Sequence, residues 1–331
     1  MPLSVYALKC NNEILAQSSS GGAFLTLAKV LFHKSNNNAS IYGVIFDTNM
    51  KPIYSCANNY TDCYAFCGSK YVTCPVNGII SSIVDDLKGG KSVLFVGTPC
   101  NVAALKAYIR KNGIGDELLY TVDLICNGTP PLKLWEDYVL WLEKKVGRKL
   151  INFKFRKKGD SRNPYLTAAY FEDNVIKEDK NYTACYNQLF LKKISIRKSC
   201  FNCKYKRIDR VSDITIGDFW GIEKVMPEFC EKTEVSEILV NTKKGMEVIA
   251  LIEECFDDNI KIMECKTEDY LQFQKNLTTK SDIPMDYQRF WDIYKKRGFE
   301  KAMARFSDSD MLGVFKYQLR KLSRLVRSLM I

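Results

Sequence analysis

Ser92-Val93-Leu94-Phe95-Val96-Gly97-Thr98-Pro99-Cys100, followed at a distance by Leu119-Tyr120-Thr121-Val122-Asp123-Leu124-Ile125-Cys126, decides the fold of this 331-residue chain. Ser92–Val96 is an almost continuous apolar run, the pattern of a strand buried on both faces. Leu119–Ile125 is a second strand, and Val102–Arg110 between them has the spacing of a short helix. Strand–helix–strand crossovers almost always join parallel strands. Cys100 and Cys126 then emerge at the same carboxyl edge of a sheet, where open α/β folds bind their ligands.

Outward from this unit, strand and helix patterns keep alternating, which predicts an α/β protein. Ser4–Leu8 and Ile41–Phe46 read as strands, with helix Ala23–Phe32 between them. Ile79, Ile80, Ile83, Val84 and Leu87 form an apolar helix stripe that Gly89-Gly90 closes. A longer helix begins after Thr129-Pro130-Pro131, buries Trp135, Tyr138, Val139, Leu142 and Val146, and stops at Gly147. Basic Arg148–Arg162 reads as a strand and loop. Strands follow at Leu166–Phe171, Asp213–Ile216 and Ile238–Val240, then an amphipathic helix over Gly245–Phe256, and a mainly helical region from Lys266. The expected architecture is a mixed sheet with flanking helices and a mainly helical C-terminal region. Its expected segments are 1–90, 91–245, 246–311 and a basic amphipathic tail over 312–331.

Apolar residues at 46% and charged residues at 26% fit an ordinary globular protein. No apolar run approaches the length of a membrane span, and Met1–Cys10 lacks a secretory pattern, so a cytoplasmic protein is expected. Its 13 cysteines are then expected to be thiols rather than a disulfide framework. A single histidine, His33, excludes His-rich zinc sites and argues against a histidine-based triad. The net charge is +11, and five of those charges lie in the acid-free tail: Lys316, Arg320, Lys321, Arg324 and Arg327. In that tail Leu312, Phe315, Leu319, Leu322, Val326 and Leu329 form one apolar stripe, so contact with an anionic membrane surface at its inner face, or with an acidic partner, is one expectation. No nucleic-acid-binding signature occurs, and nucleic acid is not an expected partner.

Cys200-Phe201-Asn202-Cys203 is a CxxC knuckle, a spacing that lets two thiolates reach one metal centre. With Cys100 and Cys126 it completes a set of four, suited to a [4Fe–4S] cluster or a structural zinc ion. Residue types leave both open. Cys63, Cys67 and Cys74 cluster around Gly68-Ser69-Lys70-Tyr71; Cys10, Cys56, Cys185, Cys230, Cys255 and Cys265 read as packing residues. Ser18-Ser19-Ser20-Gly21-Gly22 stands directly before a helix and reads either as an anion or cofactor cradle or as an ordinary helix cap. Lys70 and the run Arg156-Lys157-Lys158 are further anion candidates. Neither a phosphate loop nor GxGxxG is present.

Ser19–Gly22, Gly68–Tyr71, Gly97–Cys100, Asp123–Cys126, the Cys200–Cys203 knuckle and Ser212-Asp213-Ile214-Thr215-Ile216-Gly217-Asp218-Phe219-Trp220-Gly221 together resemble one family, the beta subunits of coenzyme F420 hydrogenases and dehydrogenases. The resemblance spans roughly residues 1–245 and is to the short bacterial form without an N-terminal ferredoxin module. It implies an oxidoreductase containing FAD and a [4Fe–4S] cluster. The cluster ligands would be Cys100, Cys126, Cys200 and Cys203, and the flavin loops Ser19, Ser20, Gly21 and Gly22, with Lys70 and Thr98. Lys70 and Asp218 are the candidate catalytic residues, and Trp220 a candidate for lining the site. A separate donor such as a ferredoxin would supply single electrons, and an organic substrate would exchange two. Some short relatives lie beside surface-polysaccharide genes, which points to that metabolism. Where the family usually has His-Gly after its second cysteine, this chain has Asn127-Gly128, which can hydrogen-bond but not titrate. The rival expectation is a non-catalytic binding module held by zinc at the same four cysteines.

Overall fold

The computed structural model describes residues 1–76, 78–158, 166–178, 182–229, 234–256 and 260–307. Its strands are β1 (Ser4–Cys10), β2 (Ala39–Phe46), β3 (Pro52–Ala57), β4 (Ser92–Gly97), β5 (Leu119–Leu124), β6 (Leu150–Lys154), β7 (Ala168–Phe171), β8 (Ile176–Lys177), β9 (Ile214–Asp218), β10 (Ser236–Val240) and β11 (Ile260–Glu264). Its α-helices are α1 (Asn12–Gln17), α2 (Ala23–Lys34), α3 (Ile80–Lys88), α4 (Pro99–Lys111), α5 (Leu132–Val146), α6 (Ala184–Leu191), α7 (Lys198–Phe201), α8 (Ile222–Val225), α9 (Lys243–Ala250), α10 (Ile252–Phe256), α11 (Lys275–Thr278) and α12 (Tyr287–Phe306). The fold is α/β with a mixed sheet, as the alternating patterns predict.

Eight strands make one sheet in the order β11-β1-β10-β9-β5-β4-β2-β3. The four at its centre and right, β9, β5, β4 and β2, are parallel; β10, β1, β11 and β3 join antiparallel. The apolar run of β4 has a direct cause in this arrangement. Val93 and Phe95 pack with residues of α3 and α4, whereas Leu94 faces α2 on the other side, so neither face meets water. The smaller sheet β6-β7-β8 packs with α5, α6 and α12 in an aromatic cluster centred on Trp135. The Trp135 indole N–H donates to the Met50 carbonyl at 2.6 Å and ties this cluster to the turn between β2 and β3. No described helix is long and apolar enough to cross a membrane.

Several boundaries differ from the sequence expectations. Helix α4 begins at Pro99 rather than Val102, with Thr98 as its N-cap residue, so Cys100 lies in the first helical turn. Proline suits that position because its missing N–H would have no intrahelical partner. The pattern over Gly245–Phe256 is two helices, α9 and α10, separated at Leu251. Strands β3 and β11 occupy the two edges of the sheet. There Pro52 is tolerated, because an edge strand can lack a ladder donor. The basic amphipathic tail over 312–331, the loop end before Leu166 and Cys230 lie outside the described residues.

One buried group works against the sheet's stability. Glu237, in β10, is fully buried, and neither carboxylate oxygen has a hydrogen-bond partner. Burial pushes its carboxyl well above the usual range, with the nearby Gln274 side chain opposing that push only in part. In the unfolded chain a glutamate titrates near about 4.3. Above that pH the folded state still holds a proton that the unfolded state has released, so this residue's contribution to stability falls as pH rises. Glu237→Gln should therefore match the wild type near pH 4 and gain on it toward pH 8, by up to about 1.4 kcal/mol per pH unit. Urea unfolding across this range checks it, and parallel pH profiles for the two proteins would refute it.

Candidate functional site

Parallel pairing sets the ends of β2, β4, β5 and β9 along one edge of the sheet. Above that edge lies a cavity of about 690 Å³, within the size range of small-molecule and cofactor sites. Ser18, Ser19, Ser20 and Gly22 line it, as do Lys70, Thr98, Cys126, Asp218 and Trp220, so residues expected from distant parts of the sequence meet there. Its aromatic lining includes Phe24, Phe66, Tyr71, Phe190 and Phe273. Leu124, Leu191 and Trp220 stay about two-fifths exposed at its rim.

Two of the sequence motifs are joined directly. Ser19 Oγ accepts from the Ser69 backbone N–H at 2.8 Å and from its hydroxyl at 3.0 Å, linking the serine loop to Gly68–Tyr71. Ser20 Oγ donates to the Val235 carbonyl. Gly21 does not line the cavity: its N–H donates to Ser236 Oγ, and a Cβ there would lie 2.1 Å from the Leu8 carbonyl oxygen. Gly22 lines the cavity with φ +102°, and a Cβ would lie 2.6 Å from Cys10 Sγ. Gly21 thus answers to packing against β1 and β10, and Gly22 to packing against β1 and α1, whatever occupies the cavity. Of the basic run, Lys158 donates to the carbonyls of Leu15 and Ser20 and so supports the serine loop. Lys157 pairs with Glu178, whereas Arg156 reaches the cavity and pairs with Asp218 at 2.7 Å.

Lys70 is held by its own loop. Its ammonium donates to the carbonyls of Phe66, Cys67 and Gly68 at 3.1–3.3 Å. Burial lowers its pKa to about 8, against the opposing pull of Cys67 and Cys74. Burial raises those two thiols to about 11 and about 12, and Cys63 to about 12, so they stay protonated and weakly nucleophilic at neutral pH.

Behind the cavity is a second, small pocket of about 30 Å³, and Cys100, Cys126, Cys200 and Cys203 all line it. Cys100 comes from the first turn of α4, Cys126 follows β5, and the knuckle follows α6. The Gly128 N–H donates to Cys126 Sγ at 3.4 Å, and Thr98 Oγ1 lies 3.2 Å from Cys100 Sγ. As a free thiol, Cys126 is pushed up to about 12 by burial, and the charges of the other three cysteines add to the push. Among the described residues no three His, Cys, Asp or Glu side chains converge closely enough to hold one metal ion. A zinc ion needs its sulfurs within about 2.3 Å of one point. The four thiols are therefore gathered around one space but not drawn onto one point. A donor set of four thiolates fits an iron–sulfur cluster, which takes one cysteine at each of several iron atoms.

The cavity and the cysteine pocket share Thr98, Cys126, Gly128, Thr129 and Arg197. Arg197, which the sequence reading passed over, has a buried Nε without a hydrogen-bond partner, and the Oδ1 of cavity-lining Asn127 is likewise buried and unpartnered. Its only sequence signal is a basic residue three positions before the knuckle. The segment Phe273–Asn276 also lines the cavity, with Gln274 Nε2 donating to the Asp218 carbonyl at 2.5 Å. Nothing in its composition announces that role.

A family model described as the C terminus of the beta subunit of coenzyme F420 hydrogenase/dehydrogenase matches residues 90–267, more than half of the chain. The chain belongs to this family. The matched region carries all four cysteines of the small pocket and places the protein among oxidoreductase subunits. A chain of the F420-reducing [NiFe] hydrogenase complex from Methanosarcina barkeri, studied by xenon derivatization, has the same fold: TM-score 0.56 at 17% identity, over 89% of this chain and 93% of that one. No curated protein matches the sequence.

The knuckle is anchored by a buried ion pair. Arg210 and Asp123 are 2% and 0% exposed at their side chains and meet at 2.8 Å. The same guanidinium donates to the carbonyls of Tyr205 and Leu124, so it fastens the loop after Cys203 to the end of β5 just before Cys126. Breaking such a pair leaves a buried charge uncompensated, at a cost of about 3–5 kcal/mol. Arg210→Ala should lose stability on that scale in urea unfolding, whereas Lys34→Ala, in an exposed pair with Glu247, should lose under about 1 kcal/mol. Equal losses would remove Arg210 from this anchoring role.

Proposed function

We propose that this chain is an FAD- and [4Fe–4S]-dependent oxidoreductase, with the flavin in the large cavity and the cluster on Cys100, Cys126, Cys200 and Cys203. The observation that carries this reading is the wall the two spaces share, at Thr98, Cys126, Gly128, Thr129 and Arg197. A cofactor in each would be separated by little more than one layer of side chains. A bound flavin supplies a bridge between one-electron and two-electron chemistry, while the protein orients it and sets its electrostatics.

The chain's own residues fit those tasks. Lys70, Arg156, Arg197 and Lys275 line the cavity against the single carboxylate of Asp218, so the space favours an anionic occupant. The three carbonyls on Lys70 fix its ammonium in place before any ligand arrives. With a pKa near 8, Lys70 is a fixed cation at pH 7 and a proton donor with little driving force to spare. Asp218 is held by Arg156, which positions its carboxylate at the end of β9. The exposed rim of Leu124, Leu191 and Trp220 suits the apolar part of an organic substrate. In this reading single electrons come from a separate carrier, and surface-polysaccharide metabolism is the setting we favour for the two-electron substrate.

Anaerobically purified protein should carry about four irons with matching sulfide and one FAD per chain, with broad visible absorbance. Cys100→Ser, Cys126→Ser, Cys200→Ser and Cys203→Ser should each lower iron content, and Cys255→Ser should not. A colourless protein with stoichiometric zinc and no flavin would overturn the proposal in favour of a zinc-held binding module.

Lys70 adds a pH test. Because its pKa lies near 8, its charge is present below that pH and lost above it. FAD affinity of the apoprotein should fall as pH rises from 7 to 9, and Lys70→Met should bind FAD more weakly with a flat profile over that range. A wild-type profile without a step near pH 8 would take Lys70 out of the cofactor's reach.

A further inference from the structure

We propose that the basic surface around the Cys200–Cys203 knuckle is the docking site of a small acidic one-electron carrier protein. The inference rests on the cluster reading above and adds to it a place and a chemistry for the partner.

Residues 192–210 hold Lys192, Lys193, Arg197, Lys198, Lys204, Lys206, Arg207 and Arg210 against one acid, Asp209. Three of these cations, Arg197, Lys206 and Arg210, line the cysteine pocket itself. Lys198, Lys204 and Arg207 are exposed, the first at the start of α7 and the others just past the knuckle. Lys280 joins them from a distant segment: its ammonium donates to Asn202 Oδ1 at 2.6 Å, between the two cysteines of the knuckle. Buried Asp123 neutralises Arg210, and the other acids beside this surface are exposed. Asp209 lies 3.7 Å from Arg207, and Asp282 follows Ser281.

The cations here are crowded, the buried Lys206 being held also by Asn276 Oδ1. The ammonium groups of Lys193 and Lys206 donate to the same hydroxyl, Ser281 Oγ, at 2.7 and 2.8 Å. Two cations brought onto one acceptor repel, and negative charge docked beside them on the exposed Lys198, Lys204 and Lys280 offsets that repulsion. The exposed cations stand on a short helix and the adjoining turns rather than around a cavity, so they suit a protein surface better than a small anion. Charge of this kind steers encounter and orients the partner more than it tightens binding. The exchange balances simply. Each reduced carrier would leave oxidised by one electron, which the centre held by Cys100, Cys126, Cys200 and Cys203 would pass inward, and two such encounters would supply the pair that an organic substrate takes up with two protons from solvent.

The test uses the anaerobic holoprotein and a reduced, low-potential acidic ferredoxin in stopped flow. The triple variant Lys198→Glu, Lys204→Glu, Lys280→Glu should keep its iron and flavin and react with dithionite as before. Its second-order rate with the ferredoxin should fall at least tenfold at low salt and lose most of its salt dependence. Reversing Lys88, Arg110 and Lys111, at the opposite ends of α3 and α4, should leave that rate within twofold. A loaded wild type that takes no electrons from the ferredoxin, or a triple variant with an unchanged rate, overturns the docking site. Retention on DNA that the triple variant loses while its electron uptake stays intact would assign the surface to nucleic acid. A wild type without iron or flavin would instead overturn the underlying function, and is read from composition before any kinetics.

Discussion

Everything functional in this protein hangs on the parallel register of β4, β5 and β9. Gly97 pairs with Asp123, and Leu124 with Ile216, so three neighbouring strands stop at nearly the same height. Hydrogen bonding along a ladder leaves little freedom in that height, because a slip of one residue turns every side chain to the opposite face. The short segments that leave the strand ends carry Cys100, Cys126 and Asp218. Their mutual placement is therefore a property of the sheet. The antiparallel flank extends the same edge: Ser236 lies opposite Asp218, and its hydroxyl accepts from Gly21.

Charge is distributed over this edge in two layers. Deep in the sheet, Arg210 pairs with Asp123 while the Thr215 hydroxyl and the carbonyls of Tyr205, Arg207 and Leu124 take its other donors. That pair shapes the loop and contributes little net field. The outer layer of Lys70, Arg197 and Lys206 has no matching set of carboxylates around the two spaces. A field of one sign focused into clefts raises the local concentration of anions there.

Much of this was legible in the sequence. The double-sided burial of β4 is written in its composition, and the shared edge of Cys100 and Cys126 follows from the strand–helix–strand unit that joins them. The knuckle is visible as a spacing. What was hidden has physical causes. Arg197 and Gln274 are ordinary polar residues whose importance comes from where loops bring them, and no periodicity records a loop's path. Strand β11, with a half-exposed face and the sequence Ile-Lys-Ile-Met-Glu, has too weak an alternation to separate from a loop. The glycines of Gly21-Gly22 were visible as a motif, but their cause was not, since the atoms that exclude a side chain belong to β1, α1 and β10.

The position of β1 has a consequence for how the molecule comes into being. The first strand of the chain lies between β10 and β11, antiparallel to both. During synthesis it therefore has no partner until residues beyond 236 leave the ribosome, and its apolar face must stay uncommitted for most of translation. The serine loop waits with it, because Gly21 finds Ser236 only across 215 residues of intervening chain. Such non-local pairing slows folding and lengthens exposure to aggregation. The parallel centre can assemble first; β1 then adds beside β10, and β11 can follow only on β1. The serine loop is seated only with that step, so one wall of the larger cavity is completed after the centre of the sheet already stands.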